Sequence, residues 1–250
     1  MKKLAFLSLF VAAVSLPSYA DTQEEYNKAL YAVGTQNWTV AVPALEKLSN
    51  EGNLDATTSL ATLYLEGSGV KQDVAKAIQL LEQAAKKDNV LAEQTLAELY
   101  DDGEYVPRDI DKALYWYEKM GGGESYFPRV ELYLEQKSYD KALKLLKEIE
   151  KWGEYRAYAN YLLGTMSEQG LGVAQDDKQA FNYYKKAAAG YEIHAVMKTA
   201  EAYQQGKGTE KDLKQAKKYY SQALDIFPGT IEPEVKAFHE KAKAALSSLK

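Results

Sequence analysis

Gly67-Ser68-Gly69-Val70-Lys71-Gln72-Asp73-Val74-Ala75-Lys76-Ala77 decides the fold, because the pattern returns along the chain. It comes back 36 residues on as Gly103-Glu104-Tyr105-Val106, with Asp109 and Lys112-Ala113. It recurs as Gly170-Leu171-Gly172-Val173, with Asp176 and Gln179-Ala180, and 36 residues later as Gly206-Lys207-Gly208, with Asp212 and Gln215-Ala216. Aromatic residues and alanines follow each copy: Ala84-Ala85, then Tyr115-Trp116-Tyr117, then Tyr183-Tyr184 with Ala187-Ala188, then Tyr219-Tyr220 with Ala223. A fixed period of this length marks stacked helical hairpins, since one hairpin cannot bury its apolar face alone. The expected architecture is all-α: a right-handed α-solenoid of stacked helix-turn-helix repeats.

One repeat, Asp55 to Asn89, shows what each residue does. Ala56, Leu60, Ala61, Leu63 and Tyr64 fall on one face of a first helix, A. Gly67 stops that helix, and Gly69 permits positive φ in the turn. Asp73 is placed to cap the second helix, B, whose buried stripe is Ala77, Leu80, Leu81 and Ala84.

The periodicity divides the chain as follows. Residues 1–20 read as a signal peptide, with Lys2-Lys3, an apolar run from Leu4 to Leu16 and Ser18-Tyr19-Ala20 as cleavage site. Residues 21–53 form a short-turn hairpin, with Thr22 and Glu25 as a capping box and Asn37 as a cap. Residues 54–124 hold two glycine-loop repeats, and 125–154 a second short-turn hairpin with Ser138 as N-cap. Residues 155–227 hold two more glycine-loop repeats, and 228–250 a C-terminal capping helix and tail.

At these residues the chain resembles the Sel1-like repeat family, relatives of tetratricopeptide repeats, with the two short-turn units closer to the latter. Gly103-Glu104-Tyr105, where Gly-x-Gly is expected, and Gly121-Gly122-Gly123, where Ala-Ala is expected, depart from the pattern. The resemblance implies an adaptor that holds other proteins. The family's cysteine-rich branch is excluded, because the chain has no cysteine.

Composition agrees. Without cysteine after the cleavage point there is no lipoprotein attachment site, and an exported chain of this kind is periplasmic or secreted. Removing the leader takes the formal charge from -5 to -7, since it carries two lysines and no acid. A mildly acidic, mixed surface disfavours nucleic acid and anionic membranes, and integral membrane contact is not expected. Catalytic and metal chemistry find little support. Histidine occurs only at His194 and His239, and the acidic pairs Asp101-Asp102 and Asp176-Asp177 lack a calcium-loop frame. Ser-x-x-Lys occurs at Ser138 to Lys141, inside the repeat frame, and at Ser247 to Lys250, with no accompanying Lys-Thr-Gly. No catalytic residue, metal or cofactor is assigned.

Subtracting the buried stripe from the A helices leaves a polar wall, expected to be concave, as the protein-binding surface: Thr58, Thr62, Gln94, Glu98, Asp101, Tyr161, Thr165, Lys198 and Glu201. Glu98 and Asp101 would offer an acidic patch to a basic partner. The reading is an exported, monomeric, non-enzymatic scaffold that binds another protein. The alternatives are an inhibitor or immunity-type protein that blocks a toxic enzyme, a peptidoglycan or cell-wall glycan binder, and a β-lactamase-like enzyme.

Overall fold

The computed structural model describes residues 19–230 and 232–249; residues 1–18, most of the expected signal peptide, lie outside them. All regular structure among the described residues is helical. The chain divides after Met120 into two compact units.

The first unit holds α1 (Tyr19–Gly34), α2 (Trp38–Asn50), α3 (Leu54–Glu66), α4 (Val74–Ala85), α5 (Val90–Asp102) and α6 (Ile110–Met120). Each helix packs on the next, and α3 also touches α5, so hairpins stack A helix on A helix. Turns follow the glycine pattern. Gly67 and Gly103 end α3 and α5 in the left-handed conformation, and their amides bond back to Leu63 and Leu99. Asp73 caps α4 by accepting from the Lys76 amide. Ala56, Leu60, Ala61, Leu63 and Tyr64 are buried, as are Ala77, Leu81 and Ala84. Asn89 joins two repeats. It caps α5 through the Ala92 amide, accepts from Thr58 Oγ1 at 3.0 Å and donates to Asp55 at 2.7 Å.

The second unit holds a 3-10 turn (Gly123–Ser125), α7 (Tyr126–Glu135), α8 (Tyr139–Ile149), α9 (Arg156–Gln169), α10 (Asp177–Ala188), α11 (Ile193–Gln205), α12 (Leu213–Asp225) and α13 (Pro233–Ser248). Consecutive helices again pack pairwise, and α13 lies on both α11 and α12. Val235, Phe238, Ala242, Ala245 and Leu246 join the core that Val196, Met197, Ala200 and Tyr220 begin. That contact removes from water the apolar face a terminal hairpin would otherwise expose.

Three caps differ from the sequence reading. Thr22 lies inside α1, which starts at Tyr19, so it opens no helix with Glu25. Asn37 and Ser138 occupy N-cap positions but make no side-chain cap bond. Asn37 Oδ1 accepts from Thr39 Oγ1 instead. The Lys of the Lys-Ala pair gains a clear role: Lys76 and Lys112 lie over the rings of Tyr64 and Tyr100, at 4.0 and 4.6 Å from their centres.

Candidate functional site

In the second unit the A-helix wall is built around Glu168, two residues before the turn glycine Gly170. Its carboxylate accepts from Lys198 at 2.8 Å, Lys207 at 2.7 Å and the Tyr184 hydroxyl at 2.8 Å. These donors come from α11, the turn after α11, and α10, so one side chain ties two repeats together. The Tyr184 hydroxyl also lies 3.5 Å from Thr165 Oγ1, and Tyr161 packs on Tyr158, Tyr184 and His194. The network borders a small cavity of about 80 Å³ that Glu201 and Asp177 also line.

Burial alone would raise the Glu168 pKa. The hydrogen bonds from Lys198, Lys207 and Tyr184 and the Lys198 charge outweigh it, holding the carboxyl down at about 2. A folded-state value below the unfolded one contributes stability that is complete above about 4.5 and is lost as pH falls toward 2. The Glu168→Gln variant should therefore lose on the order of 2 kcal/mol at neutral pH and show a flatter acid limb. Urea midpoints at neutral pH and at about pH 3 check this. Equal acid losses in the two proteins would remove Glu168 as the hub.

The structure thus gathers Tyr161, Thr165, Lys198 and Glu201 of the sequence-derived wall on one face. Glu201 is engaged by Lys241 of α13 at 2.6 Å. His194 bonds Glu192 at 2.6 Å and Glu234 of α13 at 3.1 Å, and these contacts raise its pKa despite partial burial. In the first unit, Thr58 is only 1% exposed and bonds Asn89, so it presents nothing to a partner. Thr62 is half-buried, and its hydroxyl bonds the Thr58 carbonyl. Gln94 donates to the exposed Glu98 at 2.8 Å. Asp101 is ion-paired with Arg108 at 2.9 Å, which neutralises half of the expected acidic patch.

Glu168 itself was missed. It occupies the register of Asp101, which stands two before Gly103, so extending that position by the repeat would have found it. Its tyrosine partner also recurs, as Tyr220 donates to Gln204, two before Gly206, at 2.6 Å. Among the described residues, no cluster of three or more His, Asp or Glu side chains could hold a metal, and no helix is long and apolar enough to cross a membrane.

A model of the Sel1 repeat matches residues 54–89, 91–121, 157–190 and 193–225, the four glycine-loop hairpins. No curated protein matches the chain. Among solved structures, a Sel1 repeat protein from Oxalobacter formigenes is 22% identical with a TM-score of 0.63, over 87% of this chain and 98% of that one. The protective antigen c5321, present in uropathogenic Escherichia coli strains and displaying an SLR fold, is 22% identical with a TM-score of 0.64. That match covers 91% of this chain and 55% of the antigen. Likeness at this level of identity concerns the fold.

Proposed function

Because the chain belongs to the Sel1 repeat family, whose repeats typically mediate protein–protein interaction, we propose that it is a non-catalytic scaffold exported to the periplasm or beyond, holding another protein on its A-helix wall. The observation that carries this reading is the Glu168 network. It fixes Lys198, Thr165 and the Tyr161–Tyr184 aromatic pair in place before any partner arrives, which lowers the ordering cost of association. Tyrosine, here the half-buried Tyr161, is also a residue type enriched at energetic interface centres. Export rests on the leader-like residues 1–20.

In-cell crosslinking of the C-terminally tagged protein, followed by mass spectrometry, tests both parts. One dominant protein is expected in the captured material, together with a mature N-terminus at Asp21. Capture of wall fragments alone would replace the protein partner with a glycan, and an intact Met1 would remove the export claim.

A further inference from the structure

A groove of the second unit, apart from the wall, runs between α8, the turn after it, the start of α9 and the end of α10. Its lining includes five cations, Lys144, Lys147, Lys151, Arg156 and Lys186, against Glu148 and Glu150. This is a local positive field on a chain of net charge -5. Glu150 is already shared between Lys147 at 3.6 Å and Lys186 at 3.3 Å. Among the described residues, Lys144, Lys151 and Arg156 are exposed and have no carboxylate within ion-pair reach. Trp152, in the same turn, is 59% exposed.

Beneath the groove lies an acceptor without a protein partner. Asn160 lines it, is only 1% exposed, and donates its amide to the Arg156 carbonyl at 2.8 Å, which fixes which end is oxygen. Its Oδ1 has no hydrogen-bond partner. A buried acceptor left unpaired is costly, because it has given up its bonds to water and gained none in return. The equivalent position, ten before the turn glycine, is settled in the other three glycine-loop repeats. Thr57 bonds Ser49, Glu93 pairs with Lys119, and Val196 has no polar atom on its side chain.

A bare anion would satisfy the cations and leave Asn160 unmet, because an anion brings no donor. An acidic peptide in extended form supplies both, carboxylates for the free cations and a main-chain N–H for the amide oxygen. We propose that this groove binds an extended acidic segment of a protein partner, with Lys144, Lys151 and Arg156 taking its carboxylates and Asn160 Oδ1, enclosed in the free protein, uncovered on binding to accept from its backbone. The proposal rests on the protein-binding reading above and adds the partner's chemistry and a second contact surface.

Fluorescence anisotropy with a labelled Glu-Gly peptide of about eight residues, long enough to cross the groove when extended, is the test. The peptide binds the full protein, and a Lys-Gly peptide of the same length does not. Binding weakens from about 0.1 M to about 1 M salt, as the screening length falls from roughly 10 to roughly 3 Å. The combined Lys144→Glu, Lys151→Glu and Arg156→Glu variant loses about tenfold or more in affinity with its unfolding temperature unchanged. The corresponding glutamine variant, free of new repulsion, loses less but in the same direction. A probe N-methylated along its backbone keeps the carboxylates without the donors, and binds more weakly than the parent.

Affinity unchanged in both variants, or no binding to the native protein, would overturn the proposal. Equal affinity for the methylated probe, or for vesicles rich in phosphatidylglycerol, would reassign the groove to a simple anion or an anionic surface. A crosslinked partner captured equally by native protein and charge-reversed variant would leave the scaffold function standing and take this groove out of it.

Discussion

Gly208→Ala lowers the stability of the second unit by about 3 kcal/mol, more than any other single methyl added to the turn after α11. Two independent costs fall on the same atom. The backbone at Gly208 holds φ +70°, where a Cβ is strained, and that Cβ would lie 2.0 Å from the Asp177 carbonyl oxygen. Asp177 is the first residue of α10, so the obstacle is helix backbone and cannot swing aside as a side chain would. Gly206 separates the two costs. It has φ +76°, but its Cβ would meet Lys211 at an ordinary 3.4 Å, so Gly206→Ala carries the strain alone, about 1 kcal/mol. Urea unfolding of both variants checks the difference. Equal losses would mean that the turn relaxes around the new methyl and that its close approach to α10 contributes nothing to the stack.

The same pair of glycines shows what was legible in the sequence. A turn glycine reports a backbone conformation, which the local pattern encodes, so Gly67, Gly103, Gly170 and Gly206 place the ends of four A helices. The capping aspartates are local in the same way, since Asp73, Asp176 and Asp212 bond amides within three residues. Contacts across repeats are not local, and there the reading failed where register alone was used. Thr58 has the spacing of a wall residue, but Asn89, 31 residues away, covers it. Asp101 looks like a free acid until Arg108, seven residues on in the same repeat but outside the motif's fixed positions, folds back on it. The hub Glu168 depends on lysines 30 and 39 residues on, at spacings that fall outside any single motif. Short-turn hairpins were harder still, because Asn37 and Ser138 have the right position without the bond that position usually brings.

The second large effect lies in the first unit, where the position ten before the turn glycine carries a charge. Glu93 is 3% exposed, and its carboxylate meets the Lys119 ammonium at 2.5 Å. Lys119 also bonds the Ala85 carbonyl and reaches Asp88 at 3.3 Å, so it joins the end of α4, the start of α5 and the end of α6. Lys119→Met keeps most of the aliphatic stem and removes the charge, stranding a carboxylate in a dry site. The expected loss is about 3 kcal/mol, the lower part of the range for a buried pair broken from one side. Glu93→Val should cost far less. The ammonium left behind is partly exposed and keeps Asp88, and valine is the residue at the equivalent position 196. Adding Glu93→Val to Lys119→Met then recovers most of the loss, because no charge remains to be desolvated. Urea midpoints of the two single variants and the double variant check this sequence of effects. Equal costs for the two singles, with no recovery in the double, would show that the two side chains stabilise independently, Lys119 through its ties to Ala85 and Asp88, and that no carboxylate is stranded when Lys119 is removed.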